Sequence, residues 1–212
     1  MNIVVLGATG ATGRLLIRRA FDRGHAVTAV ARNPDRLELT RSARLEIVVG
    51  DVMEPASIAP ALQRADVVLS ALGVTKGSPP DLLTRAARVV ATDSPTRIIW
   101  LSAFGTGGST VVAGPLTRLV LRLALARERQ DKADADSIVA AAGGVLVHAG
   151  PLTNGPLASH WHAVPLTEVS RLWMPRPISR ATVAAVMLDE AERGDHRGQI
   201  VLPLAGPDTT SH

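Results

Sequence analysis

The feature that most narrows the fold is a loop of spaced glycines between an apolar run and a helix. Residues 2–14 read NIVVLGATGATGR. Gly7 permits a tight turn, Gly10 leaves no side chain between the backbone and a phosphate, and Gly13 lets the helix lie close to the strand. Ala8, Thr9, Ala11 and Thr12 complete the loop, the threonines adding hydroxyl donors. The helix start offers unpaired N–H groups to an anion. A glycine spacing alone is a weak signal, and the alternative is a glycine-rich turn with no ligand. Here strand, loop and helix fall in the order that a dinucleotide pyrophosphate cradle needs.

The rest of the chain repeats that alternation. Short runs of Ile, Val and Leu over 2–6, 26–30, 45–49, 67–70, 97–101 and 145–148 predict strands covered on both faces. Helical patterns fall at 11–23, 55–64, 80–92 and 115–142, with a last helix over 179–192 and a last strand over 198–202. Strand–helix–strand alternation implies right-handed crossovers and a doubly wound parallel sheet, a three-layer α/β/α Rossmann fold. The 212 residues suit one domain over 1–212. The stretch 151–177 is proline-rich, carries His160, Trp161, His162 and Trp173, and lacks periodicity. It reads as a loop over a substrate site, with His160 and Trp161 lining a pocket.

Composition excludes several classes. No cysteine is present, so thiolate metal sites and cysteine nucleophiles are out. No His, Asp and Glu spacing makes a metal site. The opening MNIVVLGATG lacks the basic and long apolar regions of a secretion signal, and no apolar run approaches a bilayer span. The expectation is a soluble, cytoplasmic protein with no membrane partner. A net charge of +4 raises the possibility of nucleic acid, but the arginines are scattered and aromatics are 2% of the chain. The expected partner is a small molecule, and the chain reads as monomer or homodimer.

After the second strand comes ARNPDRL. An NAD site usually places an acid here, about 20 residues past the glycines, to hold the ribose hydroxyls. Arg32 stands there instead, with Arg36 one helical turn on. A guanidinium pairs with a 2′-phosphate that a carboxylate would repel, so the position predicts NADP(H). The alternative is a solvated surface charge. Ala71, Leu72 and Gly73 follow the fourth strand, where a dinucleotide crosses the carboxyl edge of the sheet; Gly73 is alternatively a simple turn.

The glycine loop, the ARNPDRL arginine, VVGDV, LSAFG, GPLTNGP and a late ISRATVAAVML helix occur in order over nearly the whole chain. Together they resemble the atypical short-chain dehydrogenase/reductases of the biliverdin-IXβ/flavin reductase group, close to NmrA-like proteins. The resemblance implies adenine contacts from Asp51 and Val52, although Asp51 also suits a turn ahead of the next helix. It places Ser102 before the nicotinamide and substrate, with Phe104 of the same SAF setting on the substrate side. Ser102 is alternatively an ordinary strand-end serine. Lys132 matches the family's ribose-binding lysine, its competitor being a surface pair with Asp136 at i+4. Pro151, Leu152 and Thr153 fall where backbone meets the nicotinamide.

Orthodox members also use a tyrosine acid four residues before the lysine. This chain has no tyrosine, and Glu128 occupies that place. An unperturbed carboxyl is ionised at neutral pH, so water is the expected proton source. The implied activity is an NADPH-dependent reduction of a flat, electron-poor acceptor such as a flavin, quinone or tetrapyrrole. Two rivals are a non-catalytic NADP sensor and a redox-neutral isomerase or cyclase on a natural-product scaffold.

Overall fold

The computed structural model describes residues 1–37, 42–93, 97–106, 108–109, 129–169 and 176–206. Its centre is β1 (Asn2–Leu6), four of whose five residues are buried. β1 pairs in parallel with β2 (Ala26–Ala31) on one side and with β4 (Val67–Ser70) on the other, Ile3 standing opposite both Val27 and Val67. Beyond β2 lies β3 (Leu45–Val49). Beyond β4 lie β5 (Arg97–Ala103), β6 (Val145–Ala149), β10 (Ile200–Ala205) and β8 (Trp161–Pro165). The strand order is β3-β2-β1-β4-β5-β6-β10-β8, parallel up to β10 and antiparallel at β8. Chain direction across the sheet reverses between β1 and β4, so the loops after those strands part and leave a crevice at their carboxyl ends.

Helices cover both faces. α1 (Ala11–Asp22) and α5 (Arg180–Arg193) lie on one, where Leu16, Ile17, Met187 and Leu188 join a single buried cluster with Ile3 and Val201. α2 (Ala59–Gln63), α3 (Leu82–Asp93) and α4 (Arg129–Ala141) cover the other, where Leu62, Ala86, Val90 and Val139 meet Val68 and Trp100. α5 is defined at both ends. The Ser179 side chain accepts from Thr182 N–H, and Gly194 closes the helix at φ 73° with its N–H on the Glu190 carbonyl. The sequence had suggested a doubly wound three-layer sheet, and that is the architecture. Among the described residues, no helix is long and apolar enough to cross a membrane.

Three expectations change. β5 runs to Ala103, so Ser102 sits within the strand. Of the helix expected over 115–142, α4 accounts for the C-terminal part; residues 110–128, Glu128 among them, lie outside the described residues. The stretch 151–177 is not a loop throughout. Trp161–Pro165 is the edge strand β8, paired with β10 from Trp161↔Ala205 to Val201↔Pro165, and Leu152–Thr153 (β7) pairs with Ile178–Ser179 (β9). A strand held by partners forty residues away leaves no local alternation to read. Trp173 lies outside the described residues.

Leu188 is fully buried between α5 and the sheet. Leu188→Ala is expected to lower stability by about 2–5 kcal/mol, seen as a lower urea midpoint with an unchanged m-value.

Candidate functional site

The crevice takes its shape from glycines that fit nothing larger. Gly7 sits at φ +74°, and a Cβ there would stand 2.6 Å from the Ala71 carbonyl oxygen, so the loop after β1 lies directly on the residue after β4. A Cβ on Gly13 would stand 2.2 Å from the Gly7 carbonyl oxygen, which seats α1 against the same loop. Gly10 differs. Its backbone is extended (φ −76°, ψ 163°), its N–H donates to Gly7 O at 2.9 Å, and a Cβ would meet only that oxygen, at 3.2 Å. Its open side faces the cleft. Gly7, Thr9, Gly10, Ala11 and Thr12 line a cavity of about 540 Å³, while Ala8 is buried beneath the loop. The first turn of α1 has no side-chain cap and no acidic residue. Its N–H groups and the positive end of the helix dipole therefore suit a bound anion.

One end of the cavity is cationic. Arg32 and Arg36 both line it. The turn that carries them is held by Asn33, whose side chain accepts from Asp35 N–H at 3.0 Å, and by Arg14, whose Nη2 donates to the Arg36 carbonyl at 2.9 Å. The Arg32 side chain is 65% exposed, with Asp51 Oδ2 at 4.0 Å. A pair that long and wet holds the guanidinium weakly. Asp51 is a turn residue and also lines the cavity. Its Oδ1 accepts from Met53 N–H at 2.9 Å, and Val52 lines the cavity beside it.

The middle is walled by Ala71, Leu72 and Gly73, and Ser102, Lys132 and Leu152 stand at the far end. Asp131 fixes the start of α4: its two carboxylate oxygens accept from Leu83 and Thr84 N–H at 2.9 and 2.8 Å, capping the neighbouring helix α3 and setting Lys132 at the rim. The Ser102 hydroxyl donates to Asp136 Oδ2 at 2.9 Å. Asp136, considered from its spacing as a surface partner of Lys132, is instead 3% exposed and turned under β5. Sequence reasoning missed Asp136 and also Arg180, which lines the cavity from the first position of α5, with Nη1 donating to Asn154 Oδ1 at 2.7 Å. The late ISRATVAAVML helix was the available signal for Arg180.

Several expected residues lie elsewhere. Phe104 is 2% exposed and packs on Leu202. Trp161 lies on β8, its Nε1 donating to Asp189 at 2.8 Å and its ring under Arg19 at 5.5 Å. Burial there pushes the Arg19 guanidinium below its ordinary value. His160 holds Gly206 N–H through its carbonyl. None of these three, nor Pro151 or Thr153, is among the described lining residues of the cavity. Trp161 stands opposite Ala205 at the carboxyl end of β10, but on the outer edge strand, with β6 and β10 between it and β5.

A family model described as NAD(P)H-binding matches residues 7–193. The photosystem II assembly factor Ycf39 of Synechocystis is 34% identical over 71 residues, which are 34% of this chain and 22% of that protein, so the match spans only a minor part of the relative. Among solved structures, ChuY, an anaerobillin reductase from Escherichia coli O157:H7, superposes with a TM-score of 0.78 at 18% identity, covering 98% of each chain. A short-chain dehydrogenase/reductase from Veillonella parvula gives 0.79 at 16% identity, covering 99% of this chain and 95% of its own. At such identities the likeness is one of fold.

The glycines separate by variant. Gly10→Val projects its side chain into the cleft and is expected to abolish NADPH binding while the circular dichroism spectrum stays native. Gly13→Ala collides with backbone and is expected to lower the melting temperature as well. Titration and thermal melts of the two variants check this.

Proposed function

Because this chain belongs to the NAD(P)H-binding family, we propose that it is an NADPH-dependent reductase whose acceptor is a flat, electron-poor molecule such as a flavin, quinone or tetrapyrrole. The observation that carries the reading is a single cleft with Arg32, Arg36 and the uncapped start of α1 toward one end and Ser102, Lys132 and Arg180 toward the other.

The donor set fits such a cofactor. The first-turn amides of α1, with Gly10 beside them, take the pyrophosphate. Arg32 and Arg36 take a 2′-phosphate, for which planar guanidinium donors are suited. Asp51 and Val52 border the adenine. Lys132 would hold the nicotinamide ribose, and Leu152, the one residue of 151–153 that lines the cavity, would meet the ring. When bound, NADPH supplies the hydride. Ser102 orients the acceptor by hydrogen bonding to its carbonyl or imide, and preorganised donors of this kind stabilise charge that develops during reduction. The name of ChuY, a reductase of anaerobillin, supports an acceptor of tetrapyrrole type.

Calorimetric titration is expected to give tighter binding of NADPH than of NADH. A guanidinium–phosphate contact contributes about 1.5–3 kcal/mol, so the preference is at least about tenfold, and Arg32→Ala removes most of it. Equal affinities in the wild type would overturn the role of Arg32. Loss of absorbance at 340 nm across a panel of flavins, quinones and linear tetrapyrroles tests the reaction. Ser102→Ala is expected to reduce kcat/KM by about tenfold to a thousandfold. Tight NADPH binding with no turnover on any acceptor contradicts the reductase reading and favours a sensor or a redox-neutral enzyme.

A further inference from the structure

Behind Ser102 lies a group of polar side chains sealed from solvent. Thr106 and Ser109 are fully buried, and His148 and Asp136 are 1% and 3% exposed. Asp136 Oδ2 accepts the Ser102 hydroxyl at 2.9 Å. His148 Nε2 stands 3.2 Å from the same oxygen, inside ion-pair range though angled off full hydrogen-bond geometry. On its other side, His148 Nδ1 is 2.8 Å from Ser109 Oγ. Ser109 Oγ also accepts from Gly105 N–H at 2.8 Å and lies 3.0 Å from the Thr106 carbonyl. The Thr106 hydroxyl donates to the Ala103 carbonyl at 2.7 Å.

The hydrogens can be counted. A bare Nε2 beside a carboxylate oxygen at 3.2 Å, both sealed from water, is repulsive, so the two atoms hold at least one hydrogen. Ser109 has one hydroxyl hydrogen and two places for it. If it goes to His148 Nδ1, the imidazole is neutral and Asp136 is a buried anion. If it goes to the Thr106 carbonyl, Nδ1 carries its own hydrogen and the Asp136–His148 pair is neutral overall, either as carboxylate with imidazolium or as carboxylic acid with imidazole. Asp136 Oδ1 has no hydrogen-bond partner among the described residues, so a lone anion here would be both buried and half-satisfied. Burying an unpaired charge costs several kcal/mol on general grounds, and the neutral pair avoids that cost.

We propose that Asp136 and His148 share one stored proton, and that the Ser102 hydroxyl is its outlet to the cleft. With the proton on Nε2, Ser102 donates to Oδ2 and turns only lone pairs toward the cavity. With the proton on Oδ2, Asp136 donates to Ser102 Oγ, and the serine hydrogen is released toward the cleft. Given the reductase reading, on which this part rests, the acceptor that has taken a hydride needs one proton. The Ser102 O–H bond breaks, the proton joins the reduced acceptor, and Ser102 takes the proton of Asp136. The pair is left as carboxylate beside a bare Nε2, the repulsive arrangement, which drives the return of the proton through Ser102 from water entering the emptied cleft. No electrons move except with the hydride. A chain without tyrosine thus has an internal acid in place of bulk water. Asp136 and His148 act through Ser102 and are positioning residues.

Two readouts test the store. In the cofactor-free full chain in neutral buffer, ¹⁵N imidazole and ¹³C carboxyl spectra are expected to show either both His148 nitrogens protonated or the Asp136 carboxyl protonated. Asp136→Asn returns His148 to a one-proton neutral ring. A neutral His148 beside an ionised Asp136 in the wild type overturns the proposal. In turnover, Asp136→Asn and His148→Gln are each expected to lower kcat at least about tenfold, with KM for NADPH within about twofold and native circular dichroism. Either change added to Ser102→Ala costs nothing more, because the outlet is already gone. Unchanged kcat, or losses that multiply with Ser102→Ala, overturn the relay. If the wild type reduces no acceptor, the reductase reading fails by itself, and the spectra still decide whether the pair stores a proton.

Discussion

Backbone meets backbone beneath the cleft, and the site depends on that contact. Gly13 lies so close under the Gly7 carbonyl, and Gly7 so close to Ala71, that no side chain fits at either place. The first contact aims the start of α1 at the carboxyl edge of the sheet. The second brings the loops after β1 and β4 together at the point where strand order reverses. The sheet supplies rigidity through parallel pairing, and the glycines convert that rigidity into a row of unblocked N–H groups. Arg32 and Ser102, far apart in sequence, border one cavity because β2 and β5 end at the same edge.

A second constraint comes from burying polar groups. Asp131 and Asp136 both turn inward from α4, yet they do different things. Asp131 caps α3 with two backbone bonds and is satisfied by them. Asp136 meets only side chains, on one oxygen, and that leaves the protonation of the pair coupled to Ser102. A structural carboxylate is best served by the first arrangement. The second suits a group whose proton has somewhere to go.

Much of this was legible in the sequence. β1 and β4 announce themselves as Ile, Val and Leu runs, because a strand covered on both faces needs no polar alternation, whereas β3, with Glu46 in its run, is an edge strand that stays largely exposed. The glycine loop and Arg32 were readable because backbone clearance and charge sign are local properties. β8 was not readable, since Trp161–Pro165 is held by β10 and has no pattern of its own. Trp161 and Phe104 were drawn to the substrate side by composition and motif, but packing against Asp189 and Leu202 places them in or behind the sheet. Asp136 was hidden by its spacing from Lys132, which fits a surface pair equally well; only the placement of Ser102 on β5 shows that the carboxylate faces inward.

The most direct measurement for the central claim, that the cleft at the carboxyl edge of the sheet is the nucleotide site, is amide hydrogen exchange with and without saturating NADPH. The account predicts slower exchange in peptides covering Gly7–Gly13, Arg32 and Asp51–Val52, with no change in β8 around Trp161. Protection centred on β8, or none over the glycine loop despite saturation, would contradict it.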